Sequence, residues 1–165
     1  MHSVSLLCGT MAVCAAAMVG STHVVSPHAV SAPAISTTQQ RWAANGGGAC
    51  AKYFSPEFVG AVLGGSPEPV KVTSDSSCLS GMLYITLNSI SAEQFRQQMP
   101  LIAFTHPISG IGDVAYWNEA GTVSSAKGQG RGCNIGVIVP QQAKLQKEAL
   151  AQKLGTICNS LFALP

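Results

Sequence analysis

His106, Ser109 and Asp113 fall within the eight residues HPISGIGD, and they are the three side-chain types that a nucleophilic hydrolase combines. In that chemistry a carboxylate orients the imidazole, and the imidazole takes the proton of the attacking hydroxyl. The surroundings argue against it here. Ser109 lacks the sharp strand-to-helix turn that exposes a nucleophile, because Pro107, Gly110 and Gly112 break the segment on both sides. His106 is therefore read as a solvated loop histidine and no catalytic residue is assigned. A small secreted hydrolase using His106 stands as the alternative. His106 is also the only histidine after residue 34, and the carboxylates are dispersed, so neither a catalytic zinc site nor any other metal site is expected.

Gly110-Ile-Gly112-Asp-Val-Ala115 has the G-x-G-x-x-G/A spacing by which a backbone approaches a pyrophosphate at a helix N-terminus. Here Val114 to Asn118 is strand-like and the turn Glu-Ala-Gly follows. No helix opens where the phosphate would sit, so no nucleotide or other cofactor is expected. The reading for Gly110, Gly112 and Asp113 is a structural loop in which Asp113 bonds its own backbone and the glycines orient the aromatic strand after it. GQGRG, with Lys127 before it and Arg131 within it, offers N–H groups and two cations to an anion, although a hairpin tip with exposed basic residues is the favoured reading. Trp117 joins Lys127 and Arg131 as a candidate binding surface. Tyr116 and Trp117, being neighbours on a strand, must point to opposite faces.

These groups need a scaffold, and local signals outline one. In SPEFVGAVLGG, Ser55 is an N-cap, Pro56 the first helical residue and Gly64 the left-handed cap. Val70 to Thr73 and Cys78 to Leu87 read as strands, the second with Leu83, Ile85 and Leu87 on one face and Gly81 as a bulge. Ser91 and Gln94 form a capping box with Ile90 stapled onto Phe95, and Pro100 ends that helix. Strands VAYWN, TVSSAK and CNIGVIV follow. A terminal helix from about 141 to 162 places Leu150, Leu154, Ile157, Cys158 and Leu161 on one stripe. The expected fold is α+β, in the order α-β-β-α-β-β-β-α, with an antiparallel sheet of about five strands and the helices packed on one face.

The 165 residues are 47% hydrophobic and only 10% charged, against about a quarter charged in ordinary domains. The net charge is +2 with the basic residues scattered, which excludes the phosphate-neutralising patch that nucleic-acid binding requires. Residues 6–19, LLCGTMAVCAAAMV, are apolar and uncharged, and Ala32 and Ala34 form an A-x-A site beyond them. Residues 1–34 are thus expected to be a signal peptide. An alternative cut after Ala32 would leave the disfavoured Pro33 first. An uncleaved membrane anchor is the competing reading, for which the run is short of the roughly 20 residues of a spanning helix. Residues 35–48, with three consecutive glycines, read as a flexible leader carrying an exposed Trp42, and residues 49–165 as a single α+β domain.

Four cysteines remain after residue 34: Cys50, Cys78, Cys133 and Cys158. An even number in an exported chain points to two disulfides and a secreted or periplasmic address. Of the three pairings available, Cys50 with Cys78 and Cys133 with Cys158 is expected. The first would pin the short helix to the following hairpin, and the second would fix the terminal helix to the last strand.

A cysteine before a short helix ending in Gly-Gly, a second cysteine entering a strand, ISGIGDVAYW, a Lys-Gly turn and an apolar strand before a terminal helix together resemble small exported bacterial domains of unknown function. That family includes lipoprotein-type members and carries a Gly-Leu-Gly-Asp-x-Ala element. The resemblance implies a secreted α+β module and brings no catalytic residue or cofactor. The reading is an exported, non-catalytic binding or structural module. A secreted inhibitor or effector acting on another envelope or extracellular protein is a further alternative. Contact with a membrane is expected only if the N-terminal segment is retained. Intact-mass measurement of the exported protein should give a chain beginning at Ile35, and recovery of Met1 would reject cleavage.

Overall fold

The computed structural model describes residues 37–102 and 106–165, so the expected signal peptide of residues 1–34 lies outside the described residues. Three short helices open the fold: α1 (Thr37–Ala43), α2 (Gly46–Tyr53) and α3 (Pro56–Leu63). Strands β1 (Val70–Ser74), β2 (Ser77–Ser80) and β3 (Leu83–Asn88) come next, then α4 (Ala92–Gln98) and a 3-10 turn at Met99–Ile102. Strands β4 (His106–Pro107), β5 (Val114–Trp117), β6 (Thr122–Lys127) and β7 (Arg131–Val137) follow, before a 3-10 turn at Pro140–Gln142 and α5 (Lys147–Phe162). All neighbouring strands are antiparallel, in the order β1-β2-β3-β7-β6-β5-β4.

The α+β class is as expected, but the described sheet has seven strands where about five were read. One extra strand arises because Cys78 to Leu87 is a hairpin. Ser80 pairs with Leu83 across Gly81 and Met82, so Gly81 is a turn residue at φ 56° and not a bulge. The buried positions pass from even (Cys78, Ser80) to odd (Leu83, Ile85, Leu87) at that point, which is the phase change a tight turn imposes. The other is β4, two residues held by β5. Helix α5 begins at Lys147, not near 141. The Lys144 N–H donates to the Val62 carbonyl (2.7 Å), which holds the preceding residues out of helical geometry.

The main core lies on one face of the sheet. Leu83, Ile85 and Leu87 of β3 and Cys133, Ile135 and Val137 of β7 meet Val59 and Val62 of α3 and Leu150, Leu154 and Leu161 of α5. Both expected disulfides are formed, Cys50–Cys78 and Cys133–Cys158, with Cα separations of 5.9 and 5.8 Å. Each closes a loop of a few tens of residues and stabilises the fold by about 3 kcal/mol in the chain-entropy view. The helices do not share one face, however. Helix α4, with its capping box as expected, sets Phe95 and Met99 against Ala126 in a second cluster, joined by Ile90, Val114 and Tyr116. Phe95 and Tyr116 stack at 6.1 Å.

The flexible leader of residues 35–48 is also corrected, since α1 and the start of α2 occupy it. Trp42 is 4% exposed, stacks on Phe162 at 5.6 Å and donates its indole N–H to the Gly132 carbonyl at 3.1 Å. The glycines there serve close approach. A Cβ at Gly46 would overlap the Ser76 carbonyl, and the Gly47 N–H donates to the Asp75 carbonyl at 2.7 Å, so α2 sits directly on the β1–β2 turn. Trp42→Ala should therefore destabilise the protein by about 3–5 kcal/mol in urea denaturation, as for other buried aromatics. A loss within the roughly 0.5 kcal/mol of an ordinary surface substitution would show the segment to be peripheral.

Candidate functional site

His106, Ser109 and Asp113 do not form one constellation. The Asp113 carboxylate accepts the Gly128 N–H (2.8 Å) and its backbone N–H donates to the Ala126 carbonyl (2.9 Å). Asp113 thus fastens its loop to the β6–β7 hairpin instead of bonding its own backbone. The N–H group that GQGRG presents is taken by an anion of the same chain. Gly110 and Gly112, at φ 79° and 56°, shape the rest of the loop. Asn159 of α5 accepts the Gly112 N–H (2.9 Å) and donates to the Gly110 carbonyl (2.6 Å). Ile111 is buried in the notch at Gly155, where any Cβ would overlap it. The loop is a clamp on α5, and β5 follows it where a dinucleotide site needs a helix.

His106 has other partners. Its ring stacks on Trp117 with centroids 4.4 Å apart, and Nε2 lies 3.3 Å from Glu119 Oε1. Lys147 donates to the other Glu119 oxygen. Lys147 is the first residue of α5, where the helix dipole disfavours a cation, so Glu119 offsets the mismatch and ties the β5–β6 turn to the helix. The Lys147 hydrogen bond is the main reason the Glu119 carboxyl is held below its ordinary value of 4.5; burial opposes it, and the charges of Lys147 and His106 add to the lowering. The cleft beside this group, between Trp117, Val123, Leu150 and Leu154, leaves about 10 Å³, roughly the room of one water.

The candidate binding surface of Trp117, Lys127 and Arg131 is divided by the fold. Trp117 packs partly against the main core, while Lys127 is exposed at the hairpin. Arg131 donates to the Phe162 and Leu164 carbonyls (3.0 and 2.8 Å) and covers the Trp42 ring at 5.6 Å. It caps the C-terminus of α5 through Nη1, at the site where a cation complements the dipole.

The described residues hold a different candidate site. On the second face of the sheet, β3 presents Tyr84, Thr86 and Asn88, β7 presents Gly136, Asn134 and Gly132, and β6 presents Thr122, Ser124 and Ala126, in three cross-strand rows. Helix α4 covers Ala126 and Ser124 is buried beside it, while Thr86, Thr122 and Asn134 stay partly exposed. The result is a groove of about 360 Å³ between the polar rows and Phe95, Gln98, Met99 and Ile102. Its floor is low because β7 carries glycine on either side of Asn134. The Tyr84 ring leans over Gly136 in the space a Cβ would fill, and its hydroxyl is fixed by a 2.6 Å hydrogen bond with Thr122 Oγ1. Asn88 leans over Gly132 in the same way, with its Oδ1 buried and lacking a hydrogen-bond partner. The sequence signal for this groove is the alternation Gly132-x-Asn134-x-Gly136 opposite Tyr84-x-Thr86-x-Asn88.

Among the described residues no three His, Cys, Asp or Glu side chains converge as a metal site would require, and no helix is long and apolar enough to cross a membrane. The chain matches no protein-family model, no curated protein and no solved structure.

The carboxyl of Glu119 is lowered in the folded state, so its pairing stabilises the protein above the ordinary carboxylate range and is lost as pH falls through the lower, folded value. A carboxyl-resolved NMR titration should place the Glu119 midpoint below 4.5. Lys147→Met should return it towards that value, and an unmoved midpoint would show that Lys147 is not the cause.

Proposed function

We propose that the chain is an exported, non-catalytic binding module that takes its ligand in the groove on the second face of the sheet. The groove carries this reading: its volume of about 360 Å³ lies in the range of small-molecule sites, and it joins an apolar wall to a few convergent polar groups, the usual composition of such sites. Export is supported by the two disulfides, which are typical of an oxidising extracellular or periplasmic compartment. The apolar run of residues 6–19 and the A-x-A site at Ala32 and Ala34 also support it. The resemblance of SGIGD and its aromatic strand to small exported bacterial domains fits the same reading. A hydrolase finds less support, because the carboxylate beside His106 is Glu119, in contact with Lys147, and Asp113 is engaged by Gly128.

A cocktail of small amides, alcohols, carboxylic acids and amines, followed by amide chemical-shift mapping, tests the reading. Shifts should concentrate at Thr86, Asn88, Thr122, Ser124 and Asn134. Shifts confined to other surfaces, or esterase or peptidase turnover that disappears in His106→Ala, would overturn it.

A further inference from the structure

We infer that the ligand of the groove is a neutral, polyhydroxylated molecule of the saccharide class, an inference that rests on the binding reading above. Three observations converge on this chemistry. The first is charge: the sheet's polar lining is made of Tyr84, Thr86, Asn88, Thr122, Ser124 and Asn134, and among the described residues no Asp, Glu, Lys, Arg or His borders the groove. A carboxylate, phosphate or ammonium entering it would lose water without gaining an opposite charge, which is costly.

The second is the kind of hydrogen bonding on offer. Hydroxyls of Thr86, Thr122 and Ser124 and amides of Asn88, Asn134 and Gln98 all both donate and accept. A ring of vicinal hydroxyls makes the same double demand. Opposite the polar rows, the exposed Ile102 and the partly exposed Ile90 supply apolar surface for the C–H face of a pyranose, with the buried Phe95 and Met99 behind them, and Tyr84 supplies a ring held in place by Thr122.

The third observation separates a saccharide from a peptide. Extended peptides are commonly recognised by adding a strand to an open sheet edge. The groove runs over β3, β7 and β6, whose adjoining backbones are paired with one another, so no free ladder lies beneath it to set a peptide's register. Recognition there has to pass through side chains, which favours a ligand whose own polar groups are distributed around its ring.

The full exported chain, with disulfides intact, would be titrated at millimolar concentration with cellotriose, maltotriose and tri-N-acetylchitotriose. Acidic trigalacturonate and triserine capped as its N-acetyl amide, which carries no charge, would be run beside them. At least one neutral oligosaccharide should shift Thr86, Asn88, Thr122, Ser124 and Asn134. Asn134→Val should weaken that binding about tenfold or more, the loss of about one well-made hydrogen bond. Thr86→Val should also weaken it, and Lys71→Ala, on exposed β1 outside the groove, should leave it unchanged. Retained circular dichroism and melting temperature would show that each variant is folded. If triserine or trigalacturonate moves the groove residues and no neutral oligosaccharide does, the saccharide assignment is overturned and the binding reading stands. If no probe, including the fragment cocktail, moves them, both fall.

Discussion

Strand β7 is the constraint on which the rest of the molecule depends. It is the middle strand of the seven, paired with β3 on one side and β6 on the other, so its two faces must serve different layers. Cys133, Ile135 and Val137 face the main core and are fully or nearly fully buried. Gly132, Asn134 and Gly136 face the other way, and the glycines leave room there for Asn88 and Tyr84 to lean over the strand. A strand in the centre of a sheet normally gains from side chains on both faces, and two glycines forgo that gain. The loss is offset on the first face, where the Cys133–Cys158 bridge, the Trp42 hydrogen bond to the Gly132 carbonyl and the Arg131 cap on α5 all converge on the same strand.

This arrangement also accounts for the position of α4. A helix docking on the second face needs apolar surface, and the described sheet offers it only where Val114, Tyr116 and Ala126 cluster. The helix is fastened there by the hairpin, since the Ala92 N–H donates to the Gly128 carbonyl and Arg96 reaches the Asp113 carbonyl. Beyond Ala126 the strands turn polar and α4 has nothing further to bury. The groove is thus the boundary between the covered and uncovered parts of one sheet face, and its walls belong to rigid elements on both sides.

Features set by neighbouring residues were legible in the sequence. The Ser55 cap, the Ser91–Gln94 capping box, the alternation of Leu83, Ile85 and Leu87 and the stripe of α5 each follow from side chains a few positions apart, and each is present. The disulfide pairing followed from placing Cys158 on that stripe and Cys50 before a helix. What escaped depends on partners distant in the chain. Gly46 and Gly47 look like a linker until Ser76 and Asp75 are seen pressed against them. Trp42 looks exposed until Gly132, ninety residues later, accepts its proton. Arg131 looks like a free cation until the end of α5 is placed beside it. The same limit hid the candidate site, because its defining feature is three strands presenting small and neutral side chains in register, and no single segment carries it.

The scarcity of charge gives this division a reason. With 10% of residues charged, the fold uses several of them as internal fasteners: Asp113 on Gly128, Arg96 on Asp113, Arg131 on the last turn of α5, and Glu119 with Lys147 across the turn and the helix. Charged groups suit this work because hydrogen bonds to an ion are stronger than neutral ones. They hold termini, turns and loops that the glycine-rich sequence would otherwise leave loose. A charged group already bound to backbone would have to release it to meet a ligand, at a cost to the fold itself. Neutral amides and hydroxyls on a rigid sheet face carry less of this conflict, since their strands are held by backbone pairing even where side chains such as Tyr84 and Thr122 bond each other. On the proposed binding reading, stability and recognition can therefore be varied separately in this chain, the first through its charged fasteners and disulfides, the second through Thr86, Asn88 and Asn134.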